Sequence, residues 1–305
     1  MKSKNNNYVS SRKTPDSLVR NTNTLNNMFL HMFMEDMTHG FSYDFGSHSS
    51  YNDIFYTTSN NDKLLEKYLC YENYHYMRYD FEKILTSSLY DLIFFGRACV
   101  ELILLKDDKG DLRGVEFLPI KAKRLFNCFK ISWFAGKNYE KKLTLFRVPN
   151  KYIISYDLND LGYKRNHFKK RFRKLKKLDI TLATNLMLSS DMKKHFDYSA
   201  YMNKKELDKI TVFSDIGWIG RGYDNKNMSE SYFLYQQAKY LNFKWKLLQY
   251  LLKGINESIK NFASVLNTST SITVTFPKQD YFALFDKYAN EEITADELTS
   301  ELIKV

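Results

Sequence analysis

The chain has 305 residues, of which 44% are hydrophobic and 16% aromatic, with 23 Tyr and 23 Phe. This length and composition suit one elaborate domain or two modest ones, and they exclude a mini-protein held together by disulfides. The formal net charge is +11 and the isoelectric point is near 9.2, so we expect a polyanion such as nucleic acid as a neighbour, unless the excess is only scattered, solvated lysine.

Cysteine spacing and hydropathy exclude several further classes. Cys70, Cys99 and Cys128 are far apart and form no CxxC pair, which argues against a disulfide framework and against a zinc site. No window approaches the roughly 18 uninterrupted apolar residues of a membrane span, and the first residues lack the apolar centre of a secretion signal. We therefore expect a soluble chain in a reducing compartment, with no membrane partner.

The first stretch, through about Asn60, is rich in Asn, Ser and Thr. Such polar runs seldom recover the entropy that is lost on ordering. The pattern predicts a polar N-terminal arm over residues 1–60 that is partly flexible. Met28, Phe29, Met32 and Phe33 recur at helical spacing, which predicts one helix over residues 25–37.

A helix followed by a β-hairpin is predicted next. Apolar residues three or four apart from Phe81 to Ile93 place one stripe on a helix that ends at Gly96. Two runs rich in Val, Ile and Leu, residues 98–105 and 112–118, flank the turn sequence "DDKGD" and predict the hairpin. Further short strands are predicted at residues 131–134, 143–146 and 152–156.

The segment from Tyr163 to Asp179 is the basic centre of the sequence, because it has no acidic residue between Asp160 and Asp179. Phe168, Phe172 and neighbouring leucines keep helical spacing among the charges, which predicts an amphipathic helix with one strongly cationic face. The two phenylalanines are expected to pack in the core rather than to stack on bases. The cations are Lys164, Arg165, Lys169, Lys170, Arg171, Arg173, Lys174, Lys176 and Lys177.

The C-terminal third is dominated by one predicted helix, from about Ser229 to Leu266, which is about 55 Å long at 1.5 Å per residue. The glycines of "GWIGRG" before it are in the wrong order for a dinucleotide fingerprint, so they predict a flexible or tightly turned loop. A strand ended by Pro277 and a short helical segment with "EEITADELTSEL" follow. Together the elements predict an α+β fold, helix-rich with a small mixed or antiparallel sheet region.

No catalytic or metal-binding constellation is predicted, and no cofactor. The chain has no Walker A loop (G-x-x-x-x-G-K followed by Ser or Thr), and its six histidines never form an i, i+4 pair. "DDKGD" lacks the later bidentate glutamate of a calcium loop and is expected to be a hairpin turn. The sequence therefore does not predict an enzyme.

The segment from Leu89 to Leu125 resembles the portal proteins of tailed bacteriophages, which form the head-to-tail connector ring. That family commonly has an apolar helix ending in a Tyr- or Phe-Gly-Asn-Ala-type turn, a strand with a glutamate, a short polar turn with glycine, and "L-x-x-L-P" or a close variant. "KYIISYDL" resembles the strand that follows in the family, and "ITADEL" resembles a turn near its C-terminal helices. The corresponding residues are Phe95, Gly96, Arg97, Ala98, Glu101, Gly110, Leu118 and Pro119, with Arg97 in place of the family's usual asparagine.

The resemblance implies a portal-like architecture with long stem and crown helices. Residues 61–160 would form a wing-like α/β region, 161–228 the basic stem helix and a clip-like region, 229–275 the long helix returning toward wing or crown, and 276–305 a C-terminal helical segment. Gly96, Ala98, Glu101, Gly110 and Pro119 would be structural residues of the motif, without catalytic roles.

The function implied is a ring of many copies, by resemblance a dodecamer, at one capsid vertex. Double-stranded DNA would pass through its channel during packaging and ejection, and the terminase large subunit, the major capsid protein and neck or adaptor proteins would dock on it. Such a protein is assembled in the host cytoplasm and resides in the virion. The basic helix would touch phosphate in the channel, face an acidic partner outside it, or be a solvated face.

A second class of function remains open. The chain could be a monomeric, basic nucleic-acid-binding accessory protein, or a nuclease whose carboxylates are dispersed in the sequence. The oligomeric state distinguishes the two classes. A large ring would favour the portal interpretation, and a stable monomer with salt-dependent DNA affinity would favour the second class.

Overall fold

The computed structural model describes residues 9–15, 18–19, 28–38, 55–58, 77–110, 112–176, 211–220, 229–265, 272–275 and 280–303. The chain divides into two compact units. The first unit comprises Met1–Thr22, Ile54–Arg165 and Gln249–Phe276, and the second comprises Asn23–Asp53, Asn166–Leu248 and Pro277–Val305. Helices and small antiparallel sheets make this an α+β protein, as predicted.

The helices and strands are numbered here in chain order. The helices are α1 Met28–Thr38, α2 Met77–Phe95, α3 over residues 167–176, α4 Glu230–Val265, α5 Tyr281–Ala289 and α6 Ala295–Ile303. The strands are β1 Val9–Ser10, β2 Leu18–Val19, β3 Phe55–Thr58, β4 Arg97–Lys106, β5 Leu112–Pro119, β6 Lys123–Cys128, β7 Ile131–Asn138, β8 Leu143–Pro149, β9 Ile153–Asp157 and β10 Ile272–Thr275.

Two four-stranded antiparallel sheets dominate the first unit. In one, β4 pairs with β5 along one edge and with β9 and β1 along the other. In the other, β7 is central, with β6, β8 and the short β2 as partners. Residues 98–105 of β4 are all buried, which explains why this run is apolar at every position except Glu101 instead of alternating.

The predicted helix-to-hairpin order is confirmed. The helix spans Met77–Phe95, and the hairpin strands β4 and β5 pair antiparallel. The hairpin turn forms because Asp107 accepts hydrogen bonds from the Gly110 and Lys109 N–H groups, and Gly110 has φ +85°. The predicted strands after the hairpin are also present as β7, β8 and β9; β7 and β8 are four and three residues longer than expected, and β9 has the expected length but begins one residue later.

Strand β6 was not predicted. Its side chains are exposed at five of six positions, so the sequence "KRLFNC" carries no alternation of buried and exposed residues. Its backbone nevertheless pairs with β7 from Lys123 to Cys128, across a bulge between Arg124 and Phe126. Pairing with a neighbouring strand, rather than burial of its own side chains, makes this segment a strand.

Part of the predicted polar arm is built into the sheets. Val9–Ser10 pairs with the end of β4, Leu18–Val19 pairs with the end of β7, and Phe55–Thr58 pairs with the strand Ile272–Thr275. The predicted helix within the arm is present as Met28–Thr38. Residues 11–15 are also described, and the other arm residues lie outside the described part of the chain.

Glu101 fixes the N-terminal segment to β4. Its side chain is only 1% exposed, and its two carboxylate oxygens accept hydrogen bonds from the backbone N–H groups of Lys13 (2.8 Å) and Thr14 (3.0 Å). A buried carboxylate is tolerated when backbone donors satisfy it. The glutamate of the portal-like motif therefore has a structural role in this chain.

We expect Glu101→Gln to lower the free energy of unfolding by roughly 1–3 kcal/mol. The amide has one accepting oxygen, so one of the two N–H groups loses its partner. Urea unfolding measures the loss, and hydrogen exchange at Lys13 and Thr14 should accelerate. Glu140→Gln is the control, because Glu140 pairs with Lys142 at the exposed surface and its loss should cost less than about 0.5 kcal/mol. Equal effects of the two substitutions would contradict this role.

Strand β9 packs closely against α4 at Gly254. A Cβ there would lie 2.6 Å from Cε1 of Tyr156 and 2.9 Å from Cγ2 of Ile154. The Tyr156 hydroxyl donates to the backbone carbonyl of Leu251 at 2.8 Å. Burial raises the pKa of Tyr156, so the hydroxyl remains a donor.

The predicted long helix is present as α4, whose 36 residues give about 54 Å. Leu234 and Ala238 near its start form a buried cluster with Tyr281, Leu298 and Leu302 of α5 and α6. The single predicted C-terminal helical segment is two helices, because the turn at residues 290–294 interrupts it. None of the helices in the described residues is long and apolar enough to cross a membrane.

The segment "ITADEL" forms a capping box at the start of α6. The Glu297 N–H donates to the Thr294 hydroxyl at 3.2 Å, and the Thr294 N–H donates to the Glu297 carboxylate at 2.7 Å. These bonds satisfy backbone donors that a helix start leaves unpaired. The pattern in this chain thus has a helix-starting role.

Candidate nucleic-acid interface

The predicted basic helix is present as α3 over residues 167–176 and has two different faces. Phe168, Phe172 and Leu175 are buried, at the i, i+4, i+7 spacing of one helical stripe. The opposite face exposes Lys170, Arg173 and Lys174. The amphipathic prediction is confirmed for these residues.

An aromatic cluster in the second unit supports the buried stripe of α3. Phe33 of α1 lies at its centre, with ring centroids 5.8 Å from Phe168, 5.4 Å from Phe172 and 5.4 Å from Phe213. Trp218 meets Phe33 edge-on at 5.1 Å. Such ring pairs add to the stabilisation from burial alone. Phe168 and Phe172 are therefore packing residues, as predicted, and are not available to stack on bases.

The glycine-containing segment before α4 is tightly packed over residues 213–220. Gly217 has φ +80°, and a Cβ there would overlap the Gln236 carbonyl oxygen and lie 2.7 Å from the Tyr240 nitrogen. The Trp218 indole N–H donates to Asp36 at 2.9 Å, and the Lys239 ammonium donates to the Ser214 carbonyl at 2.8 Å. Of the two predicted alternatives, the tight turn holds here; residues 221–228 lie outside the described part.

The nine predicted cations do not share one environment. Lys164 is exposed, Lys169 and Lys176 are half-buried, and Lys177 lies outside the described residues. Arg165 and Arg171 each pair with a carboxylate of the chain. The cations that α3 turns fully outward are thus Lys170, Arg173 and Lys174, and one charged ligand could meet all three because they lie within two helical turns.

Arg171 anchors α3 instead of extending from it. Its guanidinium donates to Asp215 and lies 5.5 Å from the centre of the Phe213 ring. Nε2 of His167 lies 3.3 Å from the same Asp215 carboxylate. Burial alone would raise the pKa of Asp215, but hydrogen bonds from His167 and Arg171 lower it to about 2.

This ion pair predicts an acid-dependent contribution to stability. Because the folded pKa of Asp215 is lowered to about 2, its contribution is fully present above the ordinary value and is lost as the pH falls toward 2. We expect the difference in unfolding free energy between wild type and Asp215→Asn to stay constant from pH 6 to pH 5 and to shrink as the pH falls from about 4 toward 2, measured by urea unfolding. A difference that stays constant with pH would contradict a stabilising Asp215 carboxylate.

A second carboxylate organises the corner where α2 meets β4. Arg97 and Asp157 are cross-strand neighbours, and the Arg97 side chain donates to Asp157 at 2.9 Å. Arg165 contacts the same carboxylate at 2.7 Å. Burial alone would raise the pKa of Asp157, but hydrogen bonds from Arg165, the Asn159 N–H and Arg97 keep it below its ordinary value.

Gly96, at the same corner, is required by both conformation and space. It follows the last residue of α2, its N–H donates to the Leu92 carbonyl at 2.8 Å, and its φ is +75°. A Cβ on Gly96 would overlap the carbonyl oxygen of Arg165 and lie 2.6 Å from its Cα. The motif residue predicted to be structural therefore lies against the backbone that leads into α3.

The other motif residues lie along the β4–β5 hairpin. Ala98 is buried and faces Tyr156 across the β4–β9 pair, while Pro119 ends β5 opposite Val100. Gly110 is in the hairpin turn and has open space around it. These residues belong to one continuous helix-and-hairpin element, and α3 follows it in sequence after β9.

A second cationic surface was not predicted. Over residues 121–151 the sequence has nine Lys or Arg and one Glu, and the structure folds most of this stretch into β6, β7 and β8. The sequence signal for this surface lies in "KKLTLFRVP", because alternate residues of a strand share one face and here that face carries both apolar and basic side chains. Among the described residues, no group of three or more His, Cys, Asp or Glu side chains is placed to hold a metal ion.

No protein-family model matches the chain, and no curated protein matches it. The portal resemblance is therefore carried by the motif residues and by the element order of this chain alone.

Proposed function

We propose that the chain is a portal protein, many copies of which form a ring at one vertex of a tailed-bacteriophage capsid. The ring is a dodecamer in this proposal. Double-stranded DNA passes through its channel during packaging and ejection, and the separate terminase motor supplies the energy. The terminase large subunit, the major capsid protein and neck or adaptor proteins dock on the ring in the virion, and the chain itself has no catalytic role.

The helix-and-hairpin element carries the proposal. An apolar helix ends at a glycine with positive φ, a strand with a buried glutamate follows, and a glycine turn leads to a second strand ending in Pro119. This is the order of parts in which the sequence resembles portal proteins. The cationic face of α3 supports it further, because a DNA-conducting ring must hold the phosphate backbone without reading bases.

The oligomeric state is the direct test. The purified chain should elute as a large particle whose mass by light scattering is many times 36.3 kDa, and negative-stain micrographs should show annuli. A stable monomer with salt-dependent DNA affinity would instead support the accessory-protein alternative. Compact particles without annuli at every ionic strength would overturn the portal proposal.

The exposed cations of α3 are expected to contact phosphate. We predict that reversing Lys170, Arg173 and Lys174 to Glu reduces DNA packaging or retention while annuli still form. Affinity for a short duplex should fall, and the slope of log affinity against log salt should decrease by about 3, since each phosphate contact contributes about 0.9. Arg171 is left unchanged because it holds Asp215.

A matched variant controls for net charge. Lys106, Lys109 and Lys253 are exposed on other elements, and their reversal to Glu changes the charge equally. This control should package and bind DNA as wild type does. If both variants bind the duplex like wild type, α3 has a merely solvated face.

A further inference from the structure

The sheet of β6, β7 and β8 has one buried and one exposed face. Phe134 and Val148 point to the buried side and form a cluster with Cys99 and Ile120. The opposite side, called the outer face below, follows from the strand register: Phe126, Trp133 and Arg147 are cross-strand neighbours, as are Ala135 and Leu145, and Lys137 and Leu143. The outer face is defined by Phe126, Trp133, Lys137, Leu143, Leu145 and Arg147.

The outer face is more apolar than a solvated sheet face should be. Phe126 is 53% exposed, Leu143 67% and Leu145 59%. Phe126 and Trp133 stack on each other at 5.7 Å. An antiparallel sheet with one face in solvent normally places polar residues there, and clustered exposed apolar residues mark an interaction surface.

The positive charge around these apolar residues indicates which kind of partner the outer face attracts. Lys137 and Arg147 lie on the outer face, and Lys123 is paired with Ala135 on the same side. Because these three cations lie on this side and β6, β7 and β8 contain no Asp or Glu, the surface favours an acidic, partly apolar partner.

The same chain carries a surface of the opposite charge. Residues 280–303, which contain α5 and α6, have seven Asp or Glu and one Lys, although the whole chain has a net charge of +11. Asp286, Glu291, Glu292 and Asp296 are exposed. Phe282 and Leu284 are half-buried on α5, so this acidic surface also offers apolar contact.

We propose that the outer face of one chain binds the acidic α5–α6 surface of a second copy. The inference rests on the proposed ring, and it names the two surfaces that join its subunits. Two different surfaces that complement each other produce a head-to-tail contact, which closes into a ring when the rotation between copies permits. Their opposite charges select this pairing, because two outer faces or two acidic surfaces repel each other.

Nucleic acid is the less favoured occupant of the outer face. Its cations would suit phosphate, but base stacking uses aromatic planes, and Leu143 and Leu145 offer none. These are the most exposed apolar side chains among the defining six. An apolar helix surface with acidic edges satisfies both the leucines and the cations.

Charge exchange tests the proposal in the full-length protein. One variant carries Lys137→Glu and Arg147→Glu, and the other carries Glu292→Lys and Asp296→Lys. Each variant alone faces like charges at every contact, so we expect at least a tenfold higher concentration for half-maximal assembly, measured by light scattering. An equimolar mixture pairs acid with base at every contact and should assemble as wild type does.

A cross-link shows whether the contact is made between chains. Cys128 is exposed and lies on the outer-face side, opposite Ile131. A bismaleimide should join Cys128 to an introduced Ser300→Cys in a Cys70→Ser background and give a ladder of multimers. Cys128→Ser should abolish the ladder. A product joined only within one chain would overturn the proposal.

The outcomes separate this inference from the portal proposal. Annuli that form equally well in wild type and both charge variants leave the portal proposal intact and overturn the inference. Open chains restored by mixing, with no annulus, support the inference and contradict the portal. If the Lys137/Arg147 variant loses duplex affinity but assembles normally, the outer face binds nucleic acid and the inference is wrong.

Discussion

Gly96→Ala is expected to lower the free energy of unfolding by roughly 3 kcal/mol or more. A non-glycine residue with positive φ costs about 1–2 kcal/mol, and overpacking adds about 1–3 kcal/mol. The added Cβ meets the Arg165 backbone, which cannot move aside as a flexible side chain would. Urea unfolding followed by circular dichroism measures the loss, and Gly96→Val should be worse.

Gly110→Ala separates the cost of the backbone conformation from the cost of steric overlap. Gly110 also has positive φ, but a Cβ there would meet nothing within 4 Å. We expect a loss of only about 1–2 kcal/mol, from conformation alone. If the two alanine variants are equally destabilised, the close approach at Gly96 has no energetic consequence.

Phe33→Ala is expected to cost about 3–5 kcal/mol, as the loss of a fully buried ring does in other cores. Phe33 is 0% exposed and contacts the rings of Phe168, Phe172 and Phe213. The cavity would lie directly beneath α3, so the near-ultraviolet circular dichroism of the aromatic cluster should also weaken. The measurement is denaturant unfolding at fixed protein concentration.

Phe126→Ala provides the matched comparison, because it removes an equal ring from the outer face. Phe126 is mostly in contact with solvent and Trp133. Its loss should cost less than about 1 kcal/mol of stability while weakening assembly. Equal stability losses at Phe33 and Phe126 would be inconsistent with the burial of the first and the exposure of the second.

Local patterns predicted the elements whose signal is contained in a short stretch. Helices α2 and α4 follow from apolar spacing, and the hairpin follows from a glycine turn between two apolar runs. Strand β6 was missed because its partner β7, and not its own pattern, makes it a strand. The partner of β10 was missed for a related reason, since Phe55–Thr58 lies more than 200 positions earlier in a polar region.

The sequence predicted the residue composition of the candidate site but not its geometry. The cationic character of α3 follows from its sequence alone. The sequence does not predict which cations remain outward, because the carboxylate that holds Arg171 belongs to Asp215, 44 residues away. The contact between Gly96 and Arg165 is equally non-local. Pairing across such distances depends on packing, which no short window of sequence contains.

The contact between Tyr156 and Gly254 predicts which residues diverged homologues carry at these two positions. A side chain at position 254 fits only where the residue at 156 is smaller. A larger residue at one position therefore requires a smaller residue at the other. Among diverged homologues, glycine at 254 should accompany a large aromatic at 156, and alanine or serine at 254 should accompany a shorter residue there. Covariation of these two positions would show that the contact between β9 and α4 is kept where the rest of the sequence has changed.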